Sequence, residues 1–443
     1  MAFFKRNRAS SFGGSSSANG QYDVADYTSQ VLQAFENEDG TYFSNLLSLT
    51  DEHGDYLLES SLCQPEDGGS PEPWDLSVLE DSVSSEFIGL VASHLRCVRY
   101  IARYDLSSAL SAQEELSKLV AIMLPKIQNE DVIWFLPTVT TVARDLSSLA
   151  LKADQQQQNR ITMTHEGQTT SIDRAFNSIQ QIVRTCAAEK GATDETSKKR
   201  ALVPLVNQLF RLCFRTGRAN LCKPLVRTIE NLRMLDRCPA SQVVTYYYFA
   251  GKLAVVEGDY VLAEQRFTLA YLRCPAYFHT NMKAILRFLL PLRLRMDVRP
   301  SSTLLRQYNL YQYADLVQAL QRADIALFQQ KQNAYEKDFI RWSIYYLIDN
   351  LRLIMFRHVF RKLCKVLNHH IVAVQDMTVA LRVAGYKTPV EEEASDADAE
   401  CVMVNLIGED LLKAYVSWQL KKIVVAKVGA FPTLKKALKT APE

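Results

Sequence analysis

Arg357, Arg361 and Lys365 stand four residues apart, with His358 and Lys362 beside them, and Lys413, Lys421, Lys422 and Lys427 follow further along the chain. On a helix a four-residue spacing lines side chains up in one row. Flexible cations in such a row, or on a projecting ribbon, are the groups that meet phosphate oxygens. The eight Arg and Lys residues among these, without His358, are therefore the candidate nucleic-acid-binding set, with contacts expected to the backbone rather than to bases. No run of aromatic residues accompanies them, so base stacking is not expected, Trp418 being the one exception. The same cations also suit a module that only packs against protein, and the residues alone leave both readings open.

Other chemistry is not signalled. There is no GxxxxGK[ST] loop, no GxGxxG after a strand, no CxxC and no HExxH, and the His369–His370 pair has no third ligand at metal-site spacing. Cys213 and Cys222 fall on the apolar faces of separate helices and read as small buried hydrophobes. The nine cysteines are odd in number and scattered, which fits a reducing compartment. No carboxylate pair is set up for proton transfer. The expectation is a non-catalytic protein with no cofactor, no metal and no small-molecule ligand. A membrane span is not expected, because no uncharged apolar run reaches about 18 residues. The start, MAFFKRNRAS, lacks the apolar core of a secretory signal.

The cations need elements to hold them. Residues 337–368 are apolar enough to be buried and long enough for two helices, with a break at Asp349–Asn350. In the second half Phe356, Val359, Phe360, Leu363 and Leu367 share one face, and the cationic row lies away from it. A helix near 373–383 follows, then an acidic stretch at 391–400, a helix from Asp398 to Ile407, and two strands, Lys413–Ser417 and Lys422–Lys427, joined by 418–421. Three helices and a two-stranded ribbon make a winged helix over 337–430, with a basic tail at 431–443. Residues 351–443 hold 14 bases and 10 acids, six of the acids in 391–400, so the rest of the module is strongly basic.

Upstream the chain reads as helices. Residues 1–22 are a Ser/Gly-rich tail expected to be disordered. The region 23–200 is helical, interrupted by an acidic loop at 51–80 and a glutamine-rich linker at 153–170. Residues 201–336 read as repeats of about 35 residues, including helices at Leu202–Arg215 and Leu221–Leu235, the latter with Asn220 as its cap. The sharpest local signal is Tyr247–Pro275. There Gly251, Gly258, Ala263, Phe267, Ala270 and Pro275 have the spacing of a tetratricopeptide repeat, small residues letting two antiparallel helices approach. Charge is uneven: Ala9–Leu95 has no Lys or Arg and 16 Asp and Glu, which leaves a basic remainder suited to polyanions or an acidic partner.

The segments LVNQLFRLCFRTGRANLCKPLVRTIE (205–230), VTYYYFAGKLAVVEGDYVLAEQRFTLAYLRC (244–274), RKLCKVL (361–367), NLIGEDLLKAYVS (405–417), KAYVSWQLKKIVVAK (413–427) and the Phe431–Pro432 pair resemble the PCI family. Its members scaffold the proteasome lid, the signalosome and an initiation factor. These segments are similar to the branch that couples transcription to messenger RNA export in the transcription-and-export complex at the nuclear pore. The resemblance implies an all-α, tetratricopeptide-like solenoid ending in a C-terminal winged helix with a small β-hairpin, the PCI domain. It implies a non-catalytic scaffold subunit in the nucleus, at the nuclear envelope. Its winged helix would pair with that of a larger PCI-bearing scaffold subunit, a small acidic protein of the Sem family would steady it, and the paired modules would offer a basic platform to RNA. A protein-only scaffold of the lid or signalosome type is the alternative with the same fold.

Overall fold

Helix α1 (Val24–Glu36) begins where its cap does: Asp23 accepts the amide of Asp26, whose carboxylate accepts the amide of Asp23, so two orphan donors are satisfied together. The computed structural model describes residues 23–60, 74–80, 83–127, 132–160, 170–189, 197–388 and 392–434. The chain divides into two units, residues 1–246 and 247–443.

In the first unit α1 is followed by α2 (Gly40–Leu46), α3 (Glu52–Glu59), α4 (Ser85–Ala102), α5 (Leu106–Met123), α6 (Val132–Arg160), α7 (Ser171–Ala187), α8 (Leu202–Arg215) and α9 (Cys222–Leu232). Helix α6 packs against α2, α5, α7 and α8 and is the spine of this unit. Phe35 sits edge-on to Phe87 at 4.6 Å and to Trp134 at 5.1 Å, which gathers α1, α4 and α6 around one aromatic core. Asp145, buried on α6, accepts the Leu49 amide at 2.8 Å and the Thr50 hydroxyl at 3.1 Å, and Arg144 stands 3.2 Å away. The acidic N-terminal segment is thus anchored to the spine.

Three expectations for this unit change. The loop at 51–80 contains α3, because His53 and Leu57, four residues apart, turn one face inward; Leu57 is buried and the His53 ring lies against Tyr27. Residues 61–73 of that stretch fall outside the described residues, as do 1–22. The linker expected from 153 starts later, since α6 continues through the glutamine run to Arg160. Ala, Gln and Lys are good helix formers, so polarity alone did not end the helix; residues 161–169 lie outside the description. Leu221, not Asn220, occupies the cap position of α9, after a short 3-10 turn at 219–221.

The division between units falls within α10 (Ala240–Glu257). From Tyr247 on, α10, α11 (Tyr260–Arg273) and α12 (His279–Arg295) form the tetratricopeptide-like core. A Cβ on Gly251 would stand 2.9 Å from the Phe267 ring, and Phe267 is fully buried and stacked on Phe288 at 5.1 Å. Gly258, at φ +81°, turns the chain, and Asp259 caps α11 by accepting the Leu262 amide at 2.8 Å. Then come α13 (Ser302–Gln307), α14 (Tyr311–Arg322), α15 (Ile325–Ala334), α16 (Glu336–Arg341), α17 (Tyr345–Asp349) and α18 (Leu351–Leu367). The break at Asp349–Asn350 is present. Ser343, at φ +59°, adds a second break that periodicity does not reveal.

The winged helix is built from α18, β1 (Ile371–Ala373), α19 (Val374–Val383), α20 (Asp396–Gly408), β2 (Ala414–Ser417) and β3 (Lys422–Val425). Its sheet has three antiparallel strands in the order β1-β3-β2 rather than the expected two. Three residues of β1 are too few to show alternation, which is why the strand escapes a reading of the sequence. Phe360, Val372, Met377, Leu381, Met403, Leu406 and Ile423 are fully buried and form the module's core. The amide of Ile325 donates to the Ala384 carbonyl at 2.8 Å, joining α15 to the end of α19. Gly385 makes this approach possible, since a Cβ there would stand 2.5 Å from that of Ala326. The tail expected from 431 also begins later. Phe431 packs 6.0 Å from the Phe360 ring and Leu434 is buried, so 431–434 closes the module, while 435–443 lie outside the described residues. Among the described residues no helix is long and apolar enough to cross a membrane.

Candidate nucleic-acid interface

The first residue of the cationic row does not face solvent. Arg357 is 3% exposed, its Nε donates to the Leu411 carbonyl at 3.0 Å, a terminal nitrogen donates to the Pro432 carbonyl at 2.6 Å, and its guanidinium lies 5.7 Å from the centre of the Phe431 ring. Burial also lowers its pKa. With its fork spent on two backbone oxygens, Arg357 is a strut for the C-terminal segment and leaves the phosphate-binding set. The helical wheel could not show this, because Arg357 points at residues over fifty positions away.

Two more cations are partly committed. Lys362 is exposed, yet its Nζ donates to the Arg322 carbonyl at 2.6 Å, a cation placed at the last turn of α14. One turn earlier, His358 Nδ1 lies 3.2 Å from the Leu320 carbonyl, so this side of α18 faces α14. Lys421, in the left-handed region at φ +51°, pairs through Nζ with Glu400 at 2.7 Å, and the Glu400 side chain is only 10% exposed. That pair fastens the wing to α20.

The remaining five, Arg361, Lys365, Lys413, Lys422 and Lys427, are all exposed. The strand register places Lys413 and Lys427 at one end of the sheet and Lys422 at the other. Lys422 opens β3 opposite Ala373 and Ser417, at the wing tip. Lys413 and Lys427 flank the other end, where the Ala426 amide donates to the Lys413 carbonyl at 2.9 Å, and the chain enters β1 at this end from α18, which carries Arg361 and Lys365. At about 3.3 Å per residue, Lys422 and Lys427 are separated by roughly 15 Å along the sheet.

The register also shows a feature that sequence reasoning missed. Ile371, Val424 and Tyr415 are direct cross-strand neighbours on the outer face, while Val372, Ile423 and Val416 form the inner row. Ile371 is 56% exposed and Tyr415 63%, so the wing carries an apolar row beside Lys422, and β2 is an edge strand. The alternation in AYVS and KIVV contained the signal. It lacked only β1, which fixes which face looks outward.

Elsewhere, Cys97, Cys186, Cys213, Cys222 and Cys274 are buried, and burial pushes the Cys186 thiol up to about 12. Among the described residues no group of three or more His, Cys, Asp or Glu converges as metal ligands.

A helical array closed by a winged helix with a three-stranded sheet is the architecture of PCI scaffold proteins, and the PCI domain matches residues 323–427. The relatives are more particular. PCI domain-containing protein 2 of Danio rerio is 30% identical over 412 residues, covering 92% of this chain and 97% of its own. The PCI domain-containing protein 2 homolog of Caenorhabditis elegans is 31% identical over 428 residues, 93% of this chain and 97% of its own. The chain belongs to the PCI domain-containing protein 2 family. It is also similar to the protein CSN12 homolog of Neurospora crassa, 26% identical over 327 residues and covering 68% of this chain and 72% of its own.

Proposed function

We propose that this PCI scaffold is a subunit of a nuclear messenger RNA export complex at the nuclear pore. Its winged helix pairs with that of a larger PCI-bearing subunit, a small acidic Sem-family protein steadies it, and its basic surface meets RNA. The observation that carries the reading is the exposed set Arg361, Lys365, Lys413, Lys422 and Lys427 on a module with an uncovered apolar sheet face beside it. Cations that pair with no carboxylate among the described residues supply the sequence-independent part of nucleic-acid affinity. The Ile371–Val424–Tyr415 row and the open edge of β2 offer a second winged helix both apolar contact and backbone hydrogen bonds. That same row favours the alternative, a scaffold that binds protein only, in which the cations merely rim the docking face.

Affinity purification of the tagged full chain from nuclear extract, with partners identified by mass, tests the reading. Co-purification of a larger PCI-bearing chain, a small acidic chain and RNA is the expected result. Recovery of proteasome-lid or signalosome subunits without RNA would replace it with the protein-only alternative.

A further inference from the structure

Residues 265–314 hold eight bases and one acid, Asp297, together with eight Phe and Tyr. Most of these bases are spent within the unit. Arg266 donates to the Ala250 carbonyl at 3.0 Å, Arg293 meets Glu264 at 3.4 Å and Arg299 meets Asp297 at 3.3 Å. Arg287 and Arg295 lie 4.4 Å over the rings of Trp342 and Tyr260. Arg306 is exposed, Lys283 half-buried, and Arg273 exposed with its guanidinium 5.5 Å from the centre of the Tyr247 ring. Along the chain Arg273 and Lys283 bracket an aromatic outcrop. In the turn between α11 and α12, Tyr277 is 73% exposed and Phe278 40%, with ring centres 4.5 Å apart. His279, the next residue, lies 5.7 Å from the Tyr308 ring, which brings the turn between α13 and α14 alongside, and Tyr311, which opens α14, is 56% exposed.

We infer that this outcrop is a stacking site for the bases of a single-stranded RNA, separate from the cations of the winged helix. The inference rests on the RNA-binding reading above and extends it to a second surface. Adjacent rings that are partly open to solvent, in a stretch of chain with eight bases and one acid, offer π-faces to unstacked bases and positive charge to the strand that carries them. An acidic or apolar peptide has less claim on the site, because the exposed rings stand at two separate helix junctions, Tyr277 and Phe278 at one and Tyr311 at the other. A duplex, whose bases are already stacked on one another, gains nothing from the rings.

The test compares binding of the full chain to a labelled uridine-rich strand of about 20 nucleotides and to a duplex RNA of the same length. With stacking contributing about 1–3 kcal/mol per base, the combined Tyr277→Ala and Phe278→Ala variant is expected to lose roughly tenfold or more in single-strand affinity, leaving duplex affinity and thermal stability unchanged. Tyr277→Trp with Phe278→Tyr is expected to restore binding. The Lys365→Glu, Lys422→Glu variant is expected to weaken both RNAs alike. If the aromatic variant is neutral, or weakens both RNAs equally, while the lysine variant still weakens them, the stacking site is wrong and the cationic platform stands. If the wild-type chain binds neither RNA, both readings fall.

Discussion

Replacing Arg357 with Met separates two accounts of the same residue. In the structure its guanidinium satisfies the carbonyls of Leu411 and Pro432 and covers the Phe431 ring. Methionine fills most of the volume but leaves two carbonyl oxygens short of a donor, each costing about 1–3 kcal/mol where water cannot reach it. The ring contact adds about 0.5–2 kcal/mol. Removing a buried charge recovers part of the total, so the net loss is about 3 kcal/mol, a large share of the 5–15 kcal/mol that ordinarily holds a domain together. Arg357→Lys keeps the charge but has no planar fork to bridge both carbonyls, and is expected to lose most of the same stability. Guanidinium unfolding of the full chain, followed by tryptophan fluorescence, reads this as a lower midpoint at unchanged slope for the transition that carries Trp342 and Trp418. A phosphate ligand would behave oppositely: Lys would preserve both stability and RNA affinity, and Met would lose affinity alone. A wild-type midpoint for Arg357→Met would refute the strut.

Three further outcomes follow from the packing and electrostatics. Gly251→Ala gains about 1 kcal/mol of helix propensity but drives a Cβ to 2.9 Å from a Phe267 ring pinned by Phe288, and overpacking of that kind costs about 1–3 kcal/mol; a net loss near 1 kcal/mol is expected, part of it restored by Phe267→Leu, and a stabilised Gly251→Ala would contradict the close approach. Burial lowers the pKa of His94 from 6.5 to about 3 and of His53 from 6.5 to about 4, so the unfolded chain binds more protons below pH 6.5. Stability from these residues is therefore complete above that pH and declines as pH falls toward 4, and His94→Leu should flatten the decline in unfolding midpoints measured between about pH 7.5 and 5. Lys421→Glu sets a second carboxylate against the nearly buried Glu400 and is expected to lower the melting temperature, whereas Lys422→Glu, on an exposed strand position, should not; equal melting temperatures would mean that the ion pair does not hold the wing.

Sequence periodicity located helices well where apolar residues recur over several turns, as in α8 and the α10–α11 pair. The tetratricopeptide-like spacing was legible because Gly251, Gly258 and Phe267 each answer a steric demand that few other residues meet. What stayed hidden depended on distant partners. Arg357 looks like any other exposed basic residue until Leu411 and Pro432 arrive from the far end of the module, and Lys421 until Glu400 does. Three-residue β1 carries too little pattern to be read, yet it decides which face of the wing is bare. The exposed rings of Tyr277 and Phe278 were equally indistinct, since aromatic residues in a helical array are core by default and only the folded turn shows them facing water.

The salt dependence of RNA binding by the chain, alone and together with the proposed PCI-bearing partner, tests the central claim most directly. Five exposed cations that each neutralise one phosphate predict that log affinity for a single strand falls with log salt at a slope of about −3.5. Lys365→Glu with Lys422→Glu, which leaves three of them, should bring the slope to roughly −2 and weaken unrelated sequences alike, with no change in melting temperature. An unchanged slope and affinity in that variant would mean that the winged helix docks protein and does not carry RNA.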